Sequence, residues 1–339
     1  MSGRISIVYN EPVPETYHSI GEGEAVAGVL DSVAAVREAL EQLRYEVLTV
    51  PLEPPLALAR ARLKRLDGDM VFNLFEGFNG PPESEADFAV ILEEAGLCFT
   101  GSPSWALLLC QDKSLAKQVL RVCGIPTPDW QVITPETLDD FTLSLPCIVK
   151  PLGEHASHGI SEKSVVGDLA ALEKQVRSIY RIYDRPSMVE VFVPGREFCA
   201  LVVGNRCPEV FPVEEIVYDL PPDRPRILTY SAKWVDEDVY SKGTTPVCPA
   251  EVEPRLAQSI RALALNSFVA LGCRGYARVD IRQDEEGQLK VLDVNPNPDI
   301  SPRAGAVLQA AAAGMDHVTF VSRILSLAKE RFGFLSWRF

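Results

Sequence analysis

Two carboxylates and one amide lie on a predicted β-hairpin near the C-terminus. Arg278, Asp280 and Arg282 alternate along its first strand, and Asp293 and Asn295 alternate along its second. Residues two apart share a face of a strand, and a turn between the strands places Asp280 opposite Asp293 or the residue before it. Oxygen ligands of this kind suit Mg²⁺, which also bridges phosphates. The pattern favours a metal site over the alternative, a solvated polar face of the hairpin.

A second pattern is an apolar strand that ends in a lysine. Residues 147–150 form the strand, Lys150 ends it, and a loop of small residues that contains Ser157 follows. A point charge beside free backbone N–H groups suits a polyphosphate, although many strands end in lysine. His155 and His158 lie in the same loop without a cysteine or third histidine nearby, so they indicate polar loop groups rather than a metal site.

Two glutamates flank a Pro-Gly turn in the next pair of strands. Glu190 lies on an otherwise apolar strand, and Glu197 follows beyond the turn. A carboxylate buried without a partner is costly, so each is expected to have one. An adenine amino group and a ribose are suitable partners, but an edge strand with charged ends explains the pattern equally well.

These residues are positioned by an alternation of short apolar runs and longer helical patterns. Over the first hundred residues this βαβ pattern predicts a parallel sheet. From residue 146 onward strands dominate and predict α+β units, and the polar stretch 220–249 predicts an ordered loop over a site. The predicted strands are 5–9, 45–51, 70–74, 147–150, 188–193, 198–203, 208–214, 276–282 and 289–295, and the predicted helices are 29–43, 56–66, 83–95, 105–123, 168–183, 256–270, 304–313 and 316–332.

The composition is that of a folded protein whose partners are neither nucleic acid nor membrane. The 339 residues carry 33 basic and 47 acidic side chains, and the net charge of −14 opposes binding to phosphate backbones and anionic lipids. No apolar run approaches the roughly 18 residues of a membrane span, and the N-terminus lacks the pattern of a signal peptide. Eight scattered cysteines without a CxxC pair indicate free thiols. We therefore expect a cytoplasmic protein that acts on small molecules.

The order of the motifs along the chain resembles that of a known superfamily. Lys113 follows a Gln-Asp pair, and IVKP, MVEVFVPGREF, YSAKW, RVDIR and VLDVNPNPDISP come after it in this order. The series is similar to the ATP-grasp superfamily, in its D-alanine:D-alanine ligase-like branch, from about residue 4 to residue 329. The resemblance implies an α/β and α+β fold with a parallel-sheet N-terminal domain (1–103), a central ATP-grasp domain (104–204) and a C-terminal domain with the metal site (205–339).

The resemblance also implies an activity and a role for each motif residue. The γ-phosphate of ATP would be transferred to a carboxylate, and an amine would attack the acyl phosphate to give an amide, ADP and phosphate. The residues expected at the phosphates are Lys113, Lys150 and Ser157; at adenine and ribose, Glu190, Val193 and Glu197; and at two Mg²⁺ ions, Asp280, Asp293 and Asn295. Lys233 would reach the γ-phosphate, and Arg278 would face the tetrahedral intermediate, whose oxyanion a fixed cation stabilises. A homodimer is common in the family.

Several positions depart from the family pattern, all of them on the amino-acid side of the site. Ala156, Trp234, Glu76-Gly77 and Asp299 stand where the family has a serine, a tyrosine, a His-Gly pair and a glycine. The best candidate for the family's N-terminal substrate-binding glutamate is Glu24. Because Ala156 has no hydroxyl and the indole of Trp234 can only donate, the family's hydrogen-bonded set over the first amino acid cannot form.

The departures predict substrates other than two D-alanines. The Asp299 carboxylate would repel the carboxylate of a second amino acid unless Arg303 pairs with one of these two carboxylates. We therefore expect a second substrate that carries a cationic or otherwise different group near Asp299. The alternative for Asp299 is that it faces solvent or caps the following helix. The alternatives for the protein are a true D-alanine:D-alanine ligase and an ATP-binding regulator without activity. Retention of Arg278, Lys233 and all three metal ligands argues against the regulator.

Overall fold

The computed structural model describes residues 3–12, 27–63, 69–78, 84–154 and 157–333. The N-terminal sheet is parallel, as the βαβ pattern predicts, with strand order β2-β1-β3. Its strands are β1 (Arg4–Asn10), β2 (Glu46–Leu52) and β3 (Met70–Leu74), and its helices are α1 (Val29–Gln42), α2 (Leu56–Leu63) and α3 (Ser84–Glu94). Strand β1 is buried over six consecutive residues. Continuous burial of this kind is typical of a parallel strand covered on both faces.

The predicted helix 105–123 is wrong, because the structure has two helices there. They are α4 (Ser104–Gln111) and α5 (Lys113–Val122). Between them the backbone of Asp112 is extended, and its carboxylate accepts hydrogen bonds from the N–H groups of Ser114 and Leu115, each 3.0 Å long. This is the geometry of a helix N-cap. The break makes Lys113 the first residue of α5.

The second sheet contains β4 (Trp130–Ile133), β5 (Cys147–Pro151), β6 (Val165–Val166) and β7 (Ser187–Val191), in the order β4-β7-β5-β6. All its neighbouring strands are antiparallel. Helix α6 (Leu169–Tyr183) buries Leu172, Val176 and Ile179 at helical spacing, and Asp168 caps its N-terminus. This helix corresponds to the predicted one at 168–183.

The third sheet has the order β11-β10-β8-β12-β13, with β9 paired to β8. Its strands are β8 (Glu197–Gly204), β9 (Glu209–Val210), β10 (Glu214–Tyr218), β11 (Thr244–Val247), β12 (Gly275–Gln283) and β13 (Leu289–Asn295). The single strand predicted for 208–214 is wrong: β9 and β10 are separate, and Pro212, which has no N–H to donate to a ladder, lies between them. Strand β8 belongs to this third sheet, whereas the expected central domain (104–204) would group it with the strands of the second sheet. The domain boundaries remain predictions.

Helices cover the third sheet on both sides. They are α9 (Pro254–Ala270) on one face and α10 (Gly305–Ala312) and α11 (His317–Gly333) toward the other. Residues 198, 200 and 202 of β8 and 277, 279 and 281 of β12 pack in one apolar cluster with α9. Because side chains alternate along a strand, the positions between them point to the opposite face. That face carries Arg278, Asp280 and Arg282.

The stretch 220–249 is more regular than the predicted loop. It contains α7 (Tyr230–Trp234), α8 (Val239–Lys242) and β11, which pairs with β10. Ile227, Leu228 and Lys233 of this stretch line a cleft between the second and third sheets. Among the described residues, no helix is long and apolar enough to cross a membrane.

Candidate active site

The cleft between the second and third sheets gathers most of the residues that the motifs single out. Strands β5 and β7 form one wall, and β8, β12 and β13 form the other. The motif residues that line it are Lys113, Lys150, Ser157, Glu190, Val193, Glu197, Lys233, Arg278, Asp280, Asp293 and Asn295. Cations, carboxylates and an amide from segments far apart in the chain therefore face one enclosed space.

The hairpin has one of the two registers that were predicted for it. Asp280 lies directly opposite Asp293, Arg278 lies opposite Asn295, and a bulge follows Asp280. Asp280 accepts two hydrogen bonds from Arg278, from Nε at 2.7 Å and from Nη2 at 2.9 Å, and Asp293 pairs with Nζ of Lys113. In the described ranges, no three His, Cys, Asp or Glu side chains are clustered as a metal site. Two adjacent carboxylates beside an amide oxygen nevertheless form an oxygen-only donor set of the kind that Mg²⁺ prefers.

A buried triad of charges lies at the wall that β5 and β7 form. Glu190 is 1% exposed, and its carboxylate lies 3.1 Å from Nζ of Lys117 and 2.8 Å from Nζ of Lys150. Burial alone would raise the pKa of Glu190, but the two lysines hold it below its usual value. Burial lowers the pKa of Lys117 to about 8. Both oxygens of Glu190 thus face lysines, whereas the sequence interpretation gave this carboxylate an adenine partner.

Lys117 was missed by the sequence analysis. It lies one helical turn after Lys113 on α5, so the two side chains share a face of the helix. It also contacts Oγ1 of Thr127 at 2.6 Å. The sequence feature that could have indicated Lys117 is its position four residues after Lys113 on an amphipathic helix.

Arg282 organises the far end of the cleft. It is 2% exposed, and it donates to the carbonyl of Val193 at 2.6 Å and twice to Oε2 of Glu197, at 3.0 and 2.6 Å. It also donates to the carbonyl of Arg226 in the stretch 220–249, and the hydroxyl of Tyr218 donates to the same Glu197 oxygen at 2.6 Å. Burial alone would lower the pKa of Arg282, but Glu197 keeps it above its usual value. Alternation along β12 predicts this face for Arg282 but indicates no role for it.

Lys233 and Arg278 lie at the opposite end of the cleft from Arg282. Lys233 is on α7 and Arg278 on β12. Lys233 is exposed at the edge of the cleft, and partial loss of hydration there, followed by the charge of Arg278, lowers the pKa of Lys233. Two cations that line the same cleft can stabilise a developing oxyanion.

The remaining predicted residues lie outside this cleft. Trp234, Asp299 and Arg303 do not line it, and Glu24 and Ala156 fall outside the described residues. Asp299 accepts hydrogen bonds from Oγ of Ser32 at 2.7 Å and from the N–H and Oγ of Ser301 at 2.7 and 2.9 Å. Arg303 is exposed, and within the described ranges no ion pair joins it to Asp299. The expected Arg303 pair is therefore absent from this conformation, and Asp299 stabilises a turn before α10 instead.

Acidic residues of the N-terminal domain gather beside the end of β13. Glu85 is 7% exposed and accepts a hydrogen bond from Nδ2 of Asn297 at 2.9 Å. Burial raises the pKa of Glu85 to about 7. Glu76 is exposed, but partial desolvation, followed by the charges of Asp299 and Glu85, raises the pKa of Glu76 above its ordinary value. These carboxyls therefore hold their protons more tightly than usual, in contrast to Glu190, which is paired with two lysines.

Comparison with known proteins agrees with the motif order. A family model described as the D-ala D-ala ligase C-terminus matches residues 119–326. The D-alanine–D-alanine ligase of Moorella thermoacetica is 29% identical over 96% of this chain and 99% of its own. The uncharacterized protein y4sG of Sinorhizobium fredii is 32% identical over 96% of this chain and 93% of its own.

The fold is also similar to that of solved D-alanine–D-alanine ligase structures. The crystal structure of the D-alanine–D-alanine ligase of Bacillus anthracis complexed with ATP superimposes with a TM-score of 0.75 at 22% identity, covering 99% of each chain. The family model matches more than half of the chain, and the resemblance drawn from the motifs is confirmed. The protein therefore belongs to the D-alanine–D-alanine ligase family and is a ligase of the ATP-grasp type.

Proposed function

We propose that the protein is an ATP-dependent, ADP-forming carboxylate–amine ligase whose preferred substrates are not two D-alanines. The observation that carries the proposal is the cleft itself, where Lys113, Lys150, Asp280 and Asp293 face Lys233 and Arg278. Phosphoryl transfer needs little covalent chemistry from a protein beyond positioning and charge neutralisation. These residues supply both.

The nucleotide would lie along the cleft with its base near Val193 and its phosphates near Lys113 and Lys150. Glu197 keeps one carboxylate oxygen, Oε1, outside the Arg282 and Tyr218 contacts, and this oxygen is suited to a ribose hydroxyl. Asp280, Asp293 and Asn295 would hold Mg²⁺, which when bound would neutralise phosphate charge.

Lys233 and Arg278 would act on the reacting carboxylate. Lys233 would hold the γ-phosphate while it passes to the substrate carboxylate, and Arg278 would stabilise the oxyanion that forms when the amine attacks the acyl phosphate. An acyl phosphate is hydrolysed by free water, so the stretch 220–247 would close over the cleft. Its residues Ile227, Leu228 and Lys233 already line that space.

A preference for other substrates is expected from the side of the site that departs from the family. Trp234 has an N–H donor and no acceptor, and Glu76 replaces a histidine by a carboxyl. Turnover of a panel of D- and L-amino acids, singly and in pairs, with products identified by mass spectrometry, tests the proposal. If D-alanine as both donor and acceptor gives the highest kcat/KM, the protein is an ordinary dipeptide ligase of the cell wall.

A second measurement separates a ligase from an ATP-binding regulator. Phosphate release from ATP should rise when pooled amino acids are added. Release that stays at background with every pool would support the regulator.

We also infer a cytoplasmic homodimer, because a homodimer is common in the family that the motifs resemble. Light scattering after gel filtration gives the mass of the assembly directly.

A further inference from the structure

Lys117, on α5, is a buried lysine that lies behind the wall of the cleft. Its side chain is 2% exposed and does not line the cleft, whereas Lys150 and Glu190 do line it. A buried ammonium group is costly unless it is paired. Neither the motifs nor the proposed reaction gives the charge of Lys117 a role.

Three groups from separate segments hold the Lys117 ammonium group in place. Its Nζ lies 3.1 Å from Oε1 of Glu190 on β7, 2.6 Å from Oγ1 of Thr127 and 3.4 Å from the carbonyl oxygen of Val291 on β13. Thr127 also donates to that carbonyl, at 2.8 Å. Burial lowers the pKa of Lys117 to about 8, so the group still carries its proton at pH 7. Lys117 is therefore a fixed, buried positive charge.

Glu190 divides its carboxylate between this fixed lysine and a lysine that reaches the cleft. Its Oε2 lies 2.8 Å from Nζ of Lys150, whose side chain is 15% exposed. Glu190 itself is 1% exposed, and a buried charge that loses its only partner is strongly destabilising. Lys150 can therefore turn from Glu190 to another anion at low cost only if a second cation remains beside this carboxylate.

We propose that Lys117 is a positioning residue, which keeps the Glu190 carboxylate compensated while Lys150 binds the phosphates of ATP. The inference rests on the proposed placement of these phosphates at Lys150 and adds a residue to that site. Two lysines and one glutamate have a net charge of +1, and because Lys117 is fixed, this charge is available at Lys150. With a neutral residue at position 117, Glu190 and Lys150 would form an ion pair without net charge, which phosphate binding would have to break.

A different role for Lys117, as a tie between α5 and β13, predicts a different result. The contacts of Lys117 with Thr127 and Val291 join these two elements. Loss of a tie would loosen the hairpin that carries the proposed metal ligands, and no change at Glu190 would restore it. The charge role predicts instead that removing the charge of Glu190 restores the affinity that is lost with the charge of Lys117.

The test measures equilibrium binding of a non-hydrolysable ATP analogue, adenylyl imidodiphosphate with Mg²⁺, at pH 7 by isothermal titration calorimetry. Lys117→Met keeps the length of the side chain but removes its charge, and Kd for the analogue should rise about 10- to 100-fold. In Lys117→Met/Glu190→Gln the carboxylate charge is also removed, so Kd should lie at least about fivefold below that of Lys117→Met. Adenosine, which has no phosphate, should bind Lys117→Met and the unchanged protein with Kd values within about threefold of each other.

Thr127→Val is the matched control, because it removes a contact of Lys117 and of the Val291 carbonyl but no charge. Its Kd for the analogue should stay within about threefold of that of the unchanged protein. Thermal unfolding checks the fold of each variant, and Lys117→Gln replaces Lys117→Met if the methionine variant is unstable.

Four results overturn the inference. They are equal binding of the analogue by Lys117→Met and the unchanged protein, a double variant that binds as weakly as Lys117→Met, a Thr127→Val variant that binds equally weakly, and an equal loss of adenosine and analogue affinity in Lys117→Met. If the unchanged protein binds no analogue, the proposed function fails, and the inference that rests on it fails with it.

Discussion

Replacing Arg282 by methionine should weaken ATP binding while leaving the chemical step intact. Arg282 joins three parts of the molecule: Val193 at the entrance to β8, Glu197 on β8, and Arg226 in the stretch 220–249. The first two are the residues proposed to hold adenine and ribose. Methionine keeps much of the apolar side-chain length but removes every donor. Val193 and Glu197 then lose the contact that orients them.

The magnitude follows from burial. The Arg282 and Glu197 side chains are 3% and 9% exposed, and removal of one partner leaves the other charge buried with only the Tyr218 hydroxyl. Breaking a buried ion pair in this way costs about 3–5 kcal/mol of folding free energy. Loss of a well-placed ribose carboxylate should raise KM for ATP about 10- to 100-fold. Because Arg282 does not face the reacting atoms, kcat at saturating ATP should change by less than about threefold.

Urea unfolding and initial rates at varied ATP measure the two effects separately. The double variant Arg282→Met/Glu197→Gln removes the stranded charge, so it should recover most of the lost stability but keep the raised KM. Arg196→Met is the matched control, because Arg196 also forms two hydrogen bonds with a glutamate, at 2.6 Å each, but is 41% exposed. An exposed pair contributes about 1 kcal/mol or less. If Arg282→Met keeps the KM and stability of the unchanged protein while Arg196→Met alters them, the assignment of Arg282 is refuted.

Three further predictions concern the rest of the site. Lys150→Ala and Asp293→Ala should each abolish turnover with the fold retained. Because both residues act on one transition state, the residual activity of the double variant should be little lower than that of either single variant. Full activity of Asp293→Ala at saturating Mg²⁺ would contradict the metal assignment. Limited proteolysis within 220–247 should slow when a non-hydrolysable ATP analogue and Mg²⁺ are added, and equal cleavage with and without them would argue against a lid. Glu85 keeps a proton in the folded state up to about pH 7, above its ordinary pKa of 4.5, so its stabilising effect is complete below pH 4.5 and is lost as pH rises through 7. In Glu85→Gln the fall in unfolding free energy between these pH values should be smaller by up to about 3 kcal/mol, and an unchanged slope would show that Glu85 ionises normally.

The hairpin and the parallel sheet were predictable because each depends on a local pattern. Alternation along β12 and β13 and one short turn bring Asp280 opposite Leu292 or Asp293, and the bulge after Asp280, which no local pattern indicates, selects Asp293. The break between α4 and α5 was not predictable in this way, because residues 105–123 are helical in pattern throughout and the interruption depends on how the Asp112 carboxylate caps α5.

Glu214 and Glu215 show a different limit. The two glutamates are adjacent in the chain, so their sequence says that they point to opposite faces but not which of them points inward. The inward residue depends on how β10 pairs with β8, and the apolar pattern of these two strands does not specify the register of that pairing. The contacts of Asp299 with Ser32 and of Glu85 with Asn297 likewise link the N-terminal domain to the end of β13 across more than 200 positions of the chain.

The ion pair between Lys113 and Asp293 has a thermodynamic consequence for the proposed ligands. Each residue serves as the other's counter-ion, and Lys113 is only 6% exposed. A nucleotide that binds alone to Lys113 would separate Asp293 from this cation. A metal ion that binds alone to Asp293 would separate Lys113 from this anion. When both bind, each ligand takes one member of the pair, so the free-energy cost of separating Lys113 from Asp293 is met once for the two binding events. Nucleotide and metal should therefore bind with positive cooperativity, and by linkage each must tighten the other by the same factor.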